Sequence, residues 1–210
     1  MIFFVLFWLL LFGGAVGSFL NVVIYRLPAG LSLSYPPSRC PKCEHPIRPR
    51  DNFPVFGWIL LRGKCRDCKS PISVRYPLIE GLCAILFVTV GYAVLVNRSL
   101  DELEQSLGLI VCYLLLLTTL LAAGMIEYDG KKVPIHLFVP AFFGALILPA
   151  LSWDAVSAGA PLFIVGLSCI YVLAARCFRF RIYAMLPFFL LTWGMVLLKG
   201  GWLGAWGFLD

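Results

Sequence analysis

The sequence predicts an all-α polytopic membrane protein of about six transmembrane helices, with a small cytoplasmic four-cysteine, zinc-binding loop domain after the first helix. Three observations carry that expectation. The 210 residues are 61% hydrophobic and 13% charged, with a mean hydropathy of +0.92, whereas soluble domains hold about 45–50% apolar and about 25% charged residues. Uncharged runs recur at membrane-crossing length. Ten of the 17 Lys and Arg lie between Arg26 and Arg75, opposed only by Glu44, Asp51 and Asp67, so this segment is +7 while the remainder is near neutral. An apolar chain with 15% aromatic residues is neither a disordered tail nor a nucleic-acid binder; lipid is its expected surround. Eight Cys among long apolar runs do not describe a secreted disulfide scaffold.

A helix needs roughly 17–25 residues to cross about 30 Å of hydrocarbon. The first run, from Ile2 to about Ile24, is uncharged. It lacks a basic leader and a small-residue cleavage site and continues into Tyr25-Arg26, so it reads as a retained span. Further spans are expected at Leu78–Val96, Ser106–Met125, Leu137–Leu151, Pro161–Ala175 and Ala184–Leu198. The last three are short enough to need tilting or local thinning, and Gly200–Leu209 is too short to cross. The boundaries divide the chain into a first helix (1–25), a cytoplasmic loop (26–77), two helices (78–125) and a remaining half (126–210).

Loop charges set the orientation, since Lys and Arg accumulate on the cytoplasmic side. Residues 26–77 carry +7 and 97–105 carry −2. Residues 127–136 are neutral but hold Lys131 and Lys132, 152–160 hold only Asp154, and 176–182 carry +3. The alternation predicts a multi-pass membrane protein with its large loop in the cytoplasm and both termini outside.

Within that loop stand Cys40-Pro41-Lys42-Cys43 and Cys65-Arg66-Asp67-Cys68, separated by 21 residues. Paired C-x-x-C knuckles at this spacing predict a tetrahedral four-thiolate zinc site. Four thiolates leave no coordination position for water, so the metal is structural. Arg39, Lys42, Lys64 and Arg66 are expected to offset its negative charge. Disulfides are unexpected in a reducing cytosol, and no βαβ pattern supports a redox pair. Pro46, Pro49, Pro54 and Gly57 suggest turns with little helix between the knuckles. His45 reads as a surface residue; Cys83, Cys112, Cys169 and Cys177 read as packing residues.

The order of motifs is specific. Gly17-Ser18-Phe19-Leu20-Asn21-Val22-Val23-Ile24-Tyr25-Arg26-Leu27-Pro28 closes the first span. The first knuckle, Asp51-Asn52-Phe53-Pro54-Val55, Arg62-Gly63-Lys64 with the second knuckle, and Pro71-Ile72-Ser73-Val74-Arg75-Tyr76-Pro77-Leu78-Ile79-Glu80 follow. From about Gly13 to Glu80 the chain closely resembles the N-terminal domain of bacterial prepilin peptidases, the type IV leader peptidase/N-methyltransferase family. The resemblance implies cleavage of prepilin or pseudopilin leaders after a glycine and methylation of the new N-terminus with S-adenosylmethionine. It links the cysteine domain with methyl transfer and places the enzyme in the bacterial inner membrane. It also implies two membrane-embedded catalytic aspartates, one in an Ile-Asp segment shortly before a Pro and the other in a Gly-x-Gly-Asp motif two spans later.

The carboxylates depart from that pattern. In Met125-Ile126-Glu127-Tyr128-Asp129-Gly130-Lys131-Lys132-Val133-Pro134, Glu127 stands where the family has its first aspartate, and Asp129 where many members carry a second acid. These two are the candidate catalytic residues. Glu keeps the chemistry but adds a methylene, and a displacement of about 1 Å can cost on the order of a hundredfold in rate. No Gly-x-Gly-Asp follows Pro134; the stretch expected to be equivalent, Arg179–Leu186, has no acid, and Asp154 and Asp210 fall on the opposite face. Glu80, near the start of the second span, reads first as a charge facing a helix N-terminus. Glu127 and Asp129 read equally as a charged helix end beside Lys131 and Lys132, since residues two apart point about 200° apart. The expectation is therefore a peptidase/methyltransferase with weakened or lost cleavage, or a non-catalytic zinc module docking prepilins or secretion components.

Overall fold

The computed structural model describes residues 2–96 and 103–143, with side chains from 107 onward in the third long helix except at 109. The described residues form helices and turns with no strand. Among them, α-helices run Ile2–Arg26 (α1), Phe56–Leu60 (α2), Arg75–Leu95 (α3) and Leu103–Tyr128 (α4), and residues 139–143 are helical as well. Three of the helical segments, within Ile2–Ala29, Arg75–Leu95 and Ile110–Tyr128, are long and apolar enough to cross a membrane. The expected spans Pro161–Ala175 and Ala184–Leu198 lie outside the described residues, as does Leu137–Leu151 beyond residue 143. The chain divides into two compact units, Phe7–Val88 and a second made of Met1–Leu6 with Thr89–Asp210.

In the first unit, α1 buries Gly13, Gly14, Gly17, Leu20, Val23 and Ile24 along one face. That face meets Ile79, Glu80, Cys83 and Phe87 of α3, all buried. The contact depends on missing side chains. A Cβ at Gly13 would stand 2.8 Å from the Cys83 carbonyl oxygen and from Phe87 Cβ, and one at Gly17 would stand 2.7 Å from Glu80 Cα. Small residues four apart let two helix backbones approach where apolar attraction alone gives no preference over lipid. Phe12 and Phe87 extend the contact, their ring centres 6.0 Å apart, and Asn21 Nδ2 donates to the Tyr76 carbonyl at 3.2 Å. The helices are thus antiparallel, with Asn21 level with Tyr76 and Gly17 level with Glu80. Phe7, Trp8 and Phe19 of α1 stay exposed, as a lipid-facing surface requires.

In the second unit, α4 buries Leu116, Leu117, Leu120, Leu121 and Ile126. Its Thr118 and Thr119 hydroxyls donate to the carbonyls of Leu114 and Leu115 at 2.6 and 2.7 Å, so neither leaves a polar group bare in an apolar helix. The helix ends where Gly130 turns left-handed at φ 69°. Gly130 N–H then reaches the Glu127 carbonyl at 2.8 Å and Lys131 N–H the Ile126 carbonyl at 3.1 Å, the paired bonds of a Schellman stop. A 3₁₀ turn, Ile135–Phe138, lies against α4 and buries Phe138.

Between the knuckles the chain is more helical than its prolines suggest. Pro49–Asp51 forms a 3₁₀ turn and Phe56–Leu60 a short α-helix. Gly57 permits this, because a Cβ there would collide with the Asp51 carbonyl oxygen.

Replacing Gly17 with Val should lower thermal stability in detergent by about 1–3 kcal/mol, since Glu80 Cα is backbone and cannot swing aside. An unchanged melting profile would contradict the close packing of α1 on α3.

Candidate functional site

The two knuckles are copies of one local fold, 25 positions apart. Arg39-Cys40-Pro41-Lys42-Cys43-Glu44-His45-Pro46-Ile47 matches Lys64-Cys65-Arg66-Asp67-Cys68-Lys69-Ser70-Pro71-Ile72 residue for residue in backbone bonding. Cys40 N–H donates to the His45 carbonyl at 3.0 Å, as Cys65 N–H does to Ser70 at 2.8 Å. Glu44 N–H returns to the Cys40 carbonyl at 2.9 Å, as Lys69 N–H does to Cys65 at 3.1 Å. Ile47 and Ile72 close the loops onto the carbonyls of Ser38 and Gly63. Each reversal puts the residue after its second cysteine at φ 58°, a left-handed conformation uncommon for side-chain-bearing residues. The x-C-x-x-C-x-x-Pro-Ile repeat was visible in the sequence as a signal of this symmetry.

The reversals aim four thiols at one point. The Sγ atoms of Cys40, Cys43, Cys65 and Cys68 all lie within 4.8 Å of one another, with Cys40 to Cys68 at 3.7 Å and Cys43 to Cys65 at 4.0 Å. Metal–sulfur bonds of about 2.3 Å in a tetrahedron put sulfurs about 3.8 Å apart, so the donor set fits a metal ion. No disulfide joins these cysteines. His45 is exposed and outside the cluster.

The thiols do not share one acidity. N–H groups of Cys43 and Lys42 point at the Cys40 sulfur and lower its pKa to about 6. The Ser70 hydroxyl and backbone lower Cys68. Cys43 receives the His45 N–H, which favours its thiolate, but burial and the three neighbouring sulfurs push it up to about 12. Four negative sulfurs this close repel one another unless a cation lies between them. Ser70 was not singled out from sequence, yet its Oγ is 3.1 Å from Cys68 Sγ and 3.7 Å from Cys40 Sγ.

Charges around the cluster are paired among themselves. Arg66 grips Asp51 through Nε to Oδ2 at 2.7 Å and Nη2 to Oδ1 at 2.5 Å, which holds the Asp51 carboxyl below its usual range and raises the guanidinium. Arg48 reaches Asp67 at 3.4 Å and Arg39 reaches Glu44 at 3.7 Å. Arg66 and Arg39, expected to balance the thiolates, thus also serve carboxylates. The Asp51–Arg66 fork fastens the second knuckle to the Pro49–Asp51 turn.

The remaining sequence candidates lie elsewhere. Glu127 is in the last turn of α4, half-buried, and Asp129 follows the helix end, exposed. Residues 179–186 lie outside the described residues. Glu80 is the sixth residue of α3, 9% exposed, and its Oε2 accepts the Val55 N–H at 2.7 Å. Its partner is a loop donor, where the sequence suggested the terminus of its own helix.

Residues 11–94 match the bacterial peptidase A24 N-terminal domain. A prepilin leader peptidase/N-methyltransferase of Aeromonas hydrophila is 36% identical over 165 residues, covering 67% of this chain and 53% of the relative. One of Klebsiella pneumoniae is 40% identical over 145 residues, covering 66% and 59%. A type 4 prepilin-like proteins leader peptide-processing enzyme of Escherichia coli is 38% identical over 140 residues, covering 58% and 48%. The chain spans about half the length of the curated relatives it matches. No solved structure matches it.

Asp51→Asn should destabilise the loop by about 1–2 kcal/mol at pH 7, the worth of a charge-assisted fork reduced by solvent screening of the partly exposed Arg66. Because folding lowers the Asp51 pKa, this advantage is complete above the unfolded value of about 3.9 and declines as pH falls through the folded one. Pulse proteolysis of both proteins from pH 7 to pH 3 should show the gap closing in acid; a gap constant to pH 3 contradicts the pairing.

Proposed function

We propose that this chain, a member of the bacterial peptidase A24 family through its residues 11–94, is a membrane-embedded prepilin leader peptidase/N-methyltransferase whose metal-centred N-terminal module is intact and whose cleavage is weak. The observation that carries the reading is the convergence of four sulfurs within 4.8 Å inside the family-matched segment. Zinc is the metal that the donor set favours: tetrahedral, redox-inert and thiolate-bound. Held by Cys40, Cys43, Cys65 and Cys68, it supplies folding energy to a loop with little apolar core of its own. With four protein ligands it offers no open position for substrate or water.

Lys and Arg bias supports a cytoplasmic loop, and the similarity to bacterial prepilin leader peptidases supports an inner-membrane location. There the module meets prepilin or pseudopilin leaders, and S-adenosylmethionine serves as the methyl donor for N-methylation. For cleavage, an acid and a base must flank one water. Glu127 sits at the helix end, with Asp129 past it and no Gly-x-Gly-Asp after Pro134. The absence of that motif from residues 135–210 favours, as a second reading, a non-catalytic module that docks prepilins or secretion components.

Metal analysis of the reduced, purified chain should find one zinc per chain. Cys65→Ser should lose the zinc and make residues 27–74 protease-sensitive while the long helices persist. A zinc-free, protease-resistant loop would overturn the assignment.

Leader removal from a prepilin in reconstituted membranes should run at least about a hundredfold below that of a relative carrying both acids. Glu127→Gln should abolish what remains, with Asp129→Asn next in effect. Rapid cleavage by the wild-type chain would refute the weakened-peptidase reading, and prepilin capture without cleavage would favour the docking module.

A further inference from the structure

The segment Phe53–Leu60 is anchored, through Pro54 and Val55, well inward of the loop-side ends of α1 and α3. Pro54 lies against α1 at Gly14, where an added Cβ would be 3.3 Å from Pro54 Cβ. Gly14 is 12 residues from Arg26, about 18 Å along the helix at 1.5 Å per residue. Val55 bonds to Glu80 and brings its Cγ2 within 3.9 Å of a Cβ placed at Gly81. Glu80 is five residues into α3 from Arg75, about 8 Å along the axis. Since Asn21 is level with Tyr76, Pro54 sits about 12 Å below the start of α3. The headgroup zone occupies only about 5–8 Å on each side of the hydrocarbon. With Arg26 and Arg75 at the polar border, Pro54 and Val55 reach past it.

The amphipathicity of α2 is reversed from that of a water-borne helix. Gly57 packs on the Asp51 carbonyl, the Trp58 indole N–H donates to the Ile72 carbonyl at 3.0 Å, and the Trp58 ring covers Gly63. Facing outward are Phe56, Ile59 and Leu60, at 59%, 55% and 75% exposure, with Phe53 beside them at 53%. Positions i, i+3 and i+4 form one helical face, and this one is wholly apolar. Water does not suit it.

Irregular backbone at membrane depth persists only where its polar groups find protein partners. Val55 is the irregular residue, at φ 62° and ψ −52°, with Phe56 N–H turned back to the Pro54 carbonyl at 2.6 Å. This is a γ-turn of the rare positive-φ kind, in a β-branched residue for which such φ values are outliers. The reversal leaves the Val55 N–H outside any helix, and the buried Glu80 carboxylate accepts it.

We infer that Phe53–Leu60 is a re-entrant membrane segment, whose Phe53, Phe56, Ile59 and Leu60 side chains contact lipid acyl chains and whose turn is held at depth by Glu80. Glu80 is here a positioning residue. The inference rests on the membrane-spanning reading of α1 and α3 and requires no catalytic activity, so it stands or falls apart from the enzymatic assignment.

The test uses the full chain in lipid nanodiscs, with an environment-sensitive fluorescent amino acid placed in turn at Phe56, Leu60 and the exposed Lys42. Lipids brominated in mid-chain should quench Phe56 and Leu60 labels while aqueous iodide does not, and Lys42 should show the reverse. Iodide quenching at Phe56 and Leu60 equal to that at Lys42 would overturn the inference in favour of a solvated loop. Shielding from both quenchers, with crosslinks between chains, would overturn it in favour of a second copy. With the label at Phe56, Glu80→Leu should admit iodide, whereas Glu80→Gln, which keeps an acceptor oxygen, should not. Identical behaviour of the two variants would overturn the role assigned to Glu80.

Discussion

The close approach of α1 and α3 at Gly13 and Gly17 governs where everything between them can go. Two helix backbones within touching distance bring Arg26 and Arg75 to the same end of an antiparallel pair. The 48 residues joining them are then a closed loop with both ends clamped. Without Cβ atoms at those two positions, van der Waals contact replaces the apolar driving force that lipid cannot supply. A bulkier pair would part the helices and separate Gly14 from Glu80, the two positions on which the middle of the loop rests.

Inside that frame the loop has too little apolar material to order itself by burial, and polar chemistry does the work. The two knuckles use the same backbone bonds to turn four sulfurs inward. Opposed acidities, with Cys40 lowered to about 6 and Cys43 pushed up to about 12, reflect thiols crowded around a place suited to a cation. The Asp51–Arg66 fork then ties the second knuckle to the turn before α2. The cluster, the fork and the Glu80–Val55 bond act on successive parts of one short stretch of chain.

The match to the bacterial peptidase A24 N-terminal domain covers this loop, and the two candidate acids lie at the helix end that follows. Glu127 lies in the last turn of α4 and Asp129 just past its end, both before the Schellman stop at Gly130. A helix terminated that way presents the two acids in different directions, so they do not form a pair by proximity in sequence alone.

By itself the sequence determined whatever depends on local chemistry or summed hydropathy. Spans α1, α3 and α4 follow from apolar length, and the cysteine cluster follows from two C-x-x-C pairs whose spacing already implies convergence. Helix was under-read at Pro49–Asp51, because proline opens a short helical turn as readily as it breaks one. The tertiary structure alone decided the partners of residues far apart in the chain. Glu80 suggested a helix-dipole contact, but it accepts from Val55, 25 positions earlier; Arg66, expected to balance thiolates, also grips Asp51, 15 positions away. A buried carboxylate takes whichever donor the packing leaves unsatisfied, and that donor exists only once α1 and α3 have closed on the loop between them.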